Sequence, residues 1–334
     1  MIRFLLIVLR ALRARPKLLL PVLFAAELAI LAPISGVQFD TAADFARSGR
    51  LYATDLITQS APMIVLAVGM TAILMTGGID LSIGAMVALV AAVMARFDPG
   101  PNFWVTAVPL GLLCGLGLGW FNGTLIARLD VPPIIATLGT LFLLRGLCEV
   151  LLGNEEFGTF FDVPGYTWFG RLSGSLLVIA AVFAVGGSWF YRSRLRRELL
   201  MLGGNRVAAR YAGIPVFRRI VQVYTVMGAL AFVAAICFTA RNGSVSATSL
   251  EGLELQVIVA VVLGGTRVEG GNGSLIGSVI GVLMVAVLAE GLRSAEMFHS
   301  DLLPFKIQHL KYVLMGGLLV LGVWVNRRHV STAG

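Results

Sequence analysis

The chain has 334 residues, of which 57% are hydrophobic and 13% are charged, and its net charge is +8. Soluble domains carry about 25% charged residues, so this composition excludes an ordinary water-soluble fold. The basic residues lie between apolar segments and do not form one stripe with interleaved aromatic residues, so we expect no nucleic-acid partner.

The apolar runs are long and continuous, which favours membrane-spanning helices over the alternating strands of a barrel. A helix needs about 20 apolar residues to cross a bilayer. We therefore predict an all-α polytopic membrane protein with a single domain over residues 1–334 and about ten transmembrane helices, some of them short or interrupted. The runs lie near residues 18–36, 51–75, 81–96, 103–127, 131–152, 175–191, 217–239, 252–264, 273–293 and 307–325.

The distribution of Lys and Arg predicts the orientation of the chain in the membrane. With the N-terminus in the cytoplasm, the cytoplasmic segments carry 17 basic residues and the opposite segments carry eight. Because Lys and Arg are retained on the cytoplasmic side, we expect both termini to be cytoplasmic. The predicted cytoplasmic segments include a tail at 1–17, a loop at 192–216 and a tail at 326–334.

Two glycine-rich turns adjoin the short runs at 81–96 and 252–264. Glycine interrupts helices, and irregular backbone is tolerated in a membrane only beside protein or a water-filled cavity. We predict structural roles for these glycines, and we expect the carboxylate of Asp80 to accept backbone N–H groups or to cap the following helix. The residues are Gly77, Gly78, Asp80, Gly84, Gly264, Gly265, Gly270, Gly271 and Gly273.

Charged residues inside the apolar runs are candidates for function, because they are costly in a membrane without partners. Arg145 and Glu149 are four residues apart, and Glu290 and Arg293 are three apart, so each pair can meet on one helix face. We interpret both pairs as contacts that hold helices together. A proton relay is the functional alternative.

The predicted cytoplasmic loop contains a short helix with signals at both ends. Asn205 is a favourable N-cap residue, Gly213 can adopt the left-handed conformation after the helix, and Pro215 prevents its continuation. Such a helix could lie on anionic lipid or dock into a partner protein, and we favour docking. Its residues are Asn205, Arg206, Val207, Ala208, Ala209, Arg210, Tyr211, Ala212, Gly213 and Ile214.

The sequence offers no group for catalysis or metal binding. The cysteines lie in apolar runs without metal-like spacing, and the three histidines are dispersed. A P-loop requires lysine in Gly-Lys-Ser/Thr, and the only lysines, Lys17, Lys306 and Lys311, do not follow glycine. We therefore expect this chain to be no enzyme, to bind no metal or cofactor and to hydrolyse no ATP by a P-loop.

Five groups of motifs follow one another from about residue 60 to 320. They are Thr76-Gly77-Gly78-Ile79-Asp80-Leu81-Ser82-Ile83-Gly84, Asn122-Gly123, Val131-Pro132-Pro133-Ile134-Ile135-Ala136-Thr137-Leu138-Gly139-Thr140, Gly204-Asn205 with Ala208-Ala209 and Ala212-Gly213-Ile214, and Gly264-Gly265 with Gly270-Gly271 and Gly273. As an ordered set these motifs resemble the permeases of ATP-binding-cassette sugar importers of the ribose, xylose and arabinose type. The related autoinducer-2 importers share this permease type.

The resemblance implies the permease subunit of an importer that moves a monosaccharide or related small polar solute across the bacterial inner membrane by alternating access. It implies two cytoplasmic ATPases that bind ATP and Mg²⁺, a second permease copy or paralogue, an extracytoplasmic sugar-binding protein and surrounding lipid. By position, residues 205–214 would be the coupling helix. Autoinducer-2 is the alternative cargo.

As candidate pore-lining residues we name Gln59, Asn122, Thr137 and Thr140, which are polar residues in or beside apolar runs. Two other classes of function stay open. A proton-coupled secondary sugar transporter would use Glu149 or Glu290 as its relay, and a membrane scaffold would transport nothing. The capped loop helix together with the ordered glycine motifs favours the importer over both.

Overall fold

The computed structural model describes residues 41–97, 99–153, 156–158, 160–192, 194–299, 313–320 and 322–323, with isolated positions at 24, 25, 27 and 29. The predicted tails at 1–17 and 326–334 lie outside the described residues, as do most of the run at 18–36 and nine of the nineteen residues of the run at 307–325. In the described part the all-α prediction is confirmed, because its elements are helices and one isolated bridge joins Phe157 to Val245.

The α-helices follow the predicted runs closely. A π-helical turn, Phe183–Gly187, joins α5 to α6, and two short 3-10 turns, Phe160–Asp162 and Tyr166–Gly170, precede α5. The helices of the described chain are α1 (Ala42–Met75), α2 (Ile83–Ala95), α3 (Phe103–Arg128), α4 (Pro133–Leu152), α5 (Leu172–Val182), α6 (Ser188–Arg192), α7 (Leu195–Gly204), α8 (Arg206–Tyr211), α9 (Val216–Asn242), α10 (Leu253–Leu263) and α11 (Leu275–His299).

Six stretches within the described residues are long and apolar enough to cross a membrane. α2 and α10 are apolar but shorter, as the sequence predicted for the runs at 81–96 and 252–264. Eight of the ten predicted runs thus coincide with helices, which confirms a polytopic membrane protein. The six stretches are Ala46–Met75, Phe103–Arg128, Pro133–Leu152, Leu172–Arg192, Val216–Asn242 and Leu275–Arg293.

The helices divide into an inner and an outer set. The most apolar part of α1 is 89% buried within the protein, whereas the corresponding parts of α3 and α4 are each 28% buried. Twelve of the thirteen residues of α2 are buried, which explains why this helix is apolar on all sides. Apolar side chains of the outer set are exposed, and in a membrane such surfaces contact lipid.

Backbone contact between α3 and α9 depends on glycine. A Cβ placed on Gly119 would lie 2.9 Å from the Cα of Thr225 and would clash with the carbonyl oxygen of Tyr224. Gly115 and Gly228 face each other in the same way. Small residues permit this close approach of helices in membranes. Gly117, on another face of α3, has no atom within 4 Å of the position of its Cβ.

This difference predicts the outcome of a matched pair of substitutions. Gly119→Val should separate α3 from α9 and reduce the yield of folded protein strongly, since overpacking of a close contact costs about 1–3 kcal/mol and occasionally more. Gly117→Val should be tolerated. Monodisperse protein after detergent extraction, followed by its thermal midpoint, measures both effects. Equal yields for the two variants would contradict this packing.

The two ends of the helix bundle differ in character. We call the end where α1 finishes and where α9 and α11 begin the loop end, because α7 and α8 lie there. The Gly271 N–H donates to the Met75 carbonyl oxygen over 3.1 Å at this end. We call the opposite end, where α1 begins and where α9 and α11 finish, the cavity end.

Candidate functional site

The first interrupted segment separates α1 from α2. Gly77 adopts a left-handed conformation with φ of 73° and ends α1, and α2 begins only at Ile83. Asp80 is fully buried between them, and its Oδ1 accepts from the backbone N–H of Ser82 over 2.9 Å and from the Ser82 hydroxyl over 2.6 Å. The carboxylate therefore fixes the turn that precedes α2.

The second interrupted segment, residues 243–252, precedes α10. Gly243 and Gly252 have positive φ angles of 76° and 77°, and Leu250 also has a positive φ, of 63°. This segment starts at the cavity end, whereas the first starts at the loop end, so the two short helices approach each other from opposite sides. A Cβ on Gly84 of α2 would lie 2.9 Å from the Leu250 carbonyl oxygen.

Helix α4 holds both interrupted segments through two side chains. The Thr137 hydroxyl donates to the Ile79 carbonyl oxygen over 3.2 Å. The Arg145 guanidinium donates through Nη1 to the carbonyl oxygens of Ala247 and Ser249, over 2.5 and 2.8 Å. Backbone groups that leave a helix inside a membrane need such partners. One α-helix thus positions the starts of α2 and α10 together.

The predicted pairing of Arg145 with Glu149 is wrong, because Arg145 reaches these carbonyls and forms no ion pair with Glu149 in the described chain. The other predicted pair is formed. Arg293 donates through Nη2 and Nε to the two carboxylate oxygens of Glu290, over 2.6 and 3.0 Å. A two-pronged contact of this kind fits a structural role for Glu290.

Three of the four candidate pore-lining residues lie in the protein interior. Asn122 is 1% exposed and donates to the Ser82 hydroxyl over 2.9 Å. Thr137 is fully buried at Ile79, and Thr140 donates to the carbonyl oxygen of Thr137 over 3.0 Å. They surround the first interrupted segment. Gln59 lies apart from them, at the wall of a cavity described below.

At the loop end, α8 has the local structure that its sequence indicates. The Asn205 side-chain oxygen accepts from the backbone N–H groups of Val207 and Ala208, over 2.9 and 3.0 Å. Gly213 follows the helix with φ of 80°. Ala209 is buried against the protein, so the opposite face of this short helix points outward.

The outward face of the loop end is apolar as well as basic. Tyr211 is 90% exposed and Val207 is 65% exposed, and these residues are one helical turn apart on α8. Met201 of α7 and Phe217 of α9 are half-exposed nearby in sequence. We call the surface formed by Met201, Val207, Tyr211 and Phe217 the apolar loop surface.

The glycine-rich turns that follow α1 and α10 meet α7 at one point. A Cβ on Gly270 would lie 2.9 Å from the Cα of Gly203 and 2.9 Å from the backbone nitrogen of Gly77. Gly270 itself has φ of 92°, which an ordinary side chain would strain. Because no Cβ fits between these backbones, α7 packs directly against the end of α1 and the turn at 264–273.

A polar cavity of about 400 Å³ opens at the cavity end between α1, α9, α11 and the second interrupted segment. Half of its sixteen lining residues are polar. Pockets for small molecules commonly have volumes of about 300–1,000 Å³. The lining residues are Leu56, Thr58, Gln59, Ser60, Pro62, Met63, Phe238, Arg241, Asn242, Leu250, Glu251, Leu253, Gln256, Ala286, Ala289 and Arg293.

The chain matches the sequence model of a protein family described as "Branched-chain amino acid transport system / permease component" over residues 52–323. The chain belongs to this permease family. The match covers α2 to α11 and most of α1, so it includes the interrupted segments, α8 and the cavity. No solved structure matches the permease at a significant level.

Curated relatives of the permease are themselves named as import permeases. The ribose import permease protein of Escherichia coli is 36% identical over 245 residues, which are 71% of this chain and 76% of the relative. The fructose import permease protein of Bifidobacterium longum is 36% identical over 332 residues, or 95% and 93% of the two chains. An autoinducer 2 import system permease protein of Photorhabdus luminescens is 30% identical over 269 residues, or 78% of each chain.

Sequence reasoning missed the cavity and the contacts of Arg145. The cavity combines four separate parts of the chain, and each part alone looks like the end of an apolar run. One signal was present in the sequence. Arg241 and Asn242 end an apolar helix immediately before Gly243, which places polar groups at a membrane boundary.

Proposed function

We propose that the permease moves a monosaccharide or a related small polar solute into the cell, as the membrane subunit of an ATP-binding-cassette importer. The observation that carries this proposal is the contact of Gly270 with Gly203 and Gly77, which joins α7 to the first interrupted segment and to the turn at 264–273 that follows α10. The names of the ribose and fructose import permeases support the class of solute. The autoinducer-2 relative leaves that furanosyl compound as an alternative cargo.

The loop end is the cytoplasmic side in this proposal, in agreement with the excess of basic residues there. The apolar loop surface would dock into a separate ATPase that binds ATP and Mg²⁺, and residues 205–214 would be the coupling helix. Closure of the ATPases would move α7 and α8, and the Gly203 contact would carry this movement to α1 and to the turn at 264–273. The cavity would then change its access from one side of the membrane to the other.

Further partners follow from the same proposal. A second permease copy or a paralogue would pair with this chain so that two ATPases act on two membrane subunits. A soluble sugar-binding protein would deliver the solute at the cavity end. The complex would sit in the inner membrane of a bacterium, with both termini of the permease in the cytoplasm.

The energy source tests this proposal directly. Affinity purification of the tagged permease from its native membrane should recover a P-loop ATPase, and vesicles containing the recovered complex should take up solute when they enclose ATP and Mg²⁺. Uptake should persist with a protonophore and stop when ATP is replaced by a non-hydrolysable analogue. Uptake that collapses with the protonophore while ATP is maintained would overturn the proposal in favour of a proton-coupled transporter.

A further inference from the structure

Two amide side chains at the cavity have no partner within the described protein. Gln59 is exposed on α1, and Gln256 is half-buried on the first turns of α10. Both line the cavity, and neither side chain forms a hydrogen bond with another described residue. An amide both donates and accepts hydrogen bonds. A hydroxyl group does the same, so these two residues suit a ligand that carries several hydroxyls.

The two arginines of the cavity are each paired with a carboxylate from outside its lining. Arg241 lies 3.5 Å from the carboxylate of Asp55 and also donates to the Thr58 hydroxyl. Arg293 is held by Glu290. An anionic ligand would have to break one of these pairs or approach the unpaired carboxylate of Glu251, which repels it. The electrostatics of the cavity therefore disfavour an anionic ligand, and the two neutral amides suit an uncharged one.

The remaining walls offer apolar surface to the same ligand. Phe238 is partly exposed on α9 and presents an aromatic ring to the cavity, together with Leu253 and Met63. A sugar ring combines apolar C–H faces with a rim of hydroxyls, so a wall of this kind beside two amides matches both parts of it. Binding pockets commonly combine apolar walls with a few polar groups that fix orientation.

We infer that this cavity is a solute-binding subsite of the permease itself, in which Gln59 and Gln256 bind hydroxyl groups of an uncharged polyhydroxylated solute. This inference rests on the proposed function and extends it to particular residues. Gln256 lies on α10 next to the second interrupted segment, so a bound solute contacts the element whose start lies against α2. The arginine–carboxylate pairs make the subsite selective against sugar acids.

Thiol labelling tests occupancy of the subsite. In a permease whose native cysteines are replaced by alanine, Gln256→Cys should react with a membrane-impermeant thiol reagent. Ribose, fructose and allose serve as probes, and the sugar that the reconstituted complex takes up should slow this labelling about tenfold at saturating concentration, whereas glucuronate should not. Thr248→Cys, on the same segment but outside the cavity lining, is the matched control and should label equally with and without sugar.

Transport measurements test the roles of the two amides. Gln59→Leu and Gln256→Leu should each reduce the number of sugar molecules moved per ATP hydrolysed by about fivefold to tenfold, which corresponds to one lost hydrogen bond of about 1–1.4 kcal/mol. ATP hydrolysis stimulated by the binding protein should be retained. Thr248→Val is the control and should keep the wild-type ratio.

The possible failures can be told apart. If the wild-type complex takes up neither the three sugars nor autoinducer-2, the proposed class of solute fails and the subsite is overturned with it. If it takes up a sugar that neither protects Gln256→Cys nor is affected by the leucine variants, the subsite is overturned while the proposed function stands. Equal protection by glucuronate would overturn the selectivity for uncharged solutes.

Discussion

Replacing Tyr211 with aspartate is expected to leave the permease folded and to abolish ATP-driven uptake. The side chain is 90% exposed, so the protein itself loses little when it is removed. With Val207 it forms the outward apolar face of α8, the face that would enter the ATPase. Exposed aromatic anchors of interfaces contribute about 2 kcal/mol or more, and a buried unpaired carboxylate adds a further cost. Binding should weaken at least thirtyfold.

Recovery of the ATPase with the tagged variant measures this effect, beside uptake by vesicles. Tyr211→Phe is the matched control, because it keeps the aromatic ring and should retain both activities. The thermal midpoint of the detergent-solubilised permease should be unchanged in both variants. Normal recovery of the ATPase with Tyr211→Asp would show that α8 is not part of the docking surface.

The loop helix could be predicted from sequence because its signals are local. Asn205, Gly213 and Pro215 lie within eleven residues of one another, and each acts on the backbone of its neighbours. The membrane helices were predictable for a related reason, since the length and apolarity of a run decide whether it can form a helix that spans the membrane. Short runs beside glycine turns likewise indicated that α2 and α10 are shorter than the other membrane helices.

Contacts between distant segments could not be read in the same way. The spacing of Arg145 and Glu149 suggested a pair within one helix, yet Arg145 contacts carbonyl oxygens about a hundred residues further along the chain. An unpartnered guanidinium is unfavourable in a membrane, and either a carboxylate or backbone carbonyl oxygens can accept its hydrogen bonds. Only the tertiary structure decides which of the two Arg145 contacts. The contact among the glycines at 77, 203 and 270 was equally hard to predict. A glycine in the sequence indicates a turn or a close approach of backbones, but it does not indicate which segment lies against it.

The polar residues inside the apolar runs show why pore lining is difficult to predict. Asn122 and Thr137 look like Gln59 in sequence, since each is a neutral polar residue in or beside an apolar run. Asn122 and Thr137 stabilise the irregular backbone around Ile79 and Ser82, whereas Gln59 is left without a partner at the cavity. A polar side chain in a membrane protein can form a hydrogen bond to irregular backbone, or it can face a water-filled cavity. The sequence alone does not distinguish these two roles.

Arg145→Met should disable transport without releasing the ATPase. Methionine fills a similar volume but donates no hydrogen bond, so the carbonyl oxygens of Ala247 and Ser249 lose their donor. Each unsatisfied carbonyl in a dry environment costs about 1–3 kcal/mol. The second interrupted segment should then leave α4 and lose its fixed position against α2. Uptake should fall at least tenfold, while the ATPase remains bound at the loop end.

Two further variants on α4 separate this anchoring role from other uses of its charges. Arg145→Lys keeps a positive charge and several donors, so it should restore part of the uptake. Glu149→Gln removes the carboxylate one turn away on the exposed side of α4 and should transport like the wild type, whereas a proton relay through Glu149 would make this variant inactive. Full activity of Arg145→Met would show that the segment at 243–252 holds its position without α4. The contact of Gly84 with the Leu250 carbonyl oxygen would then be the contact that positions α2 against this segment.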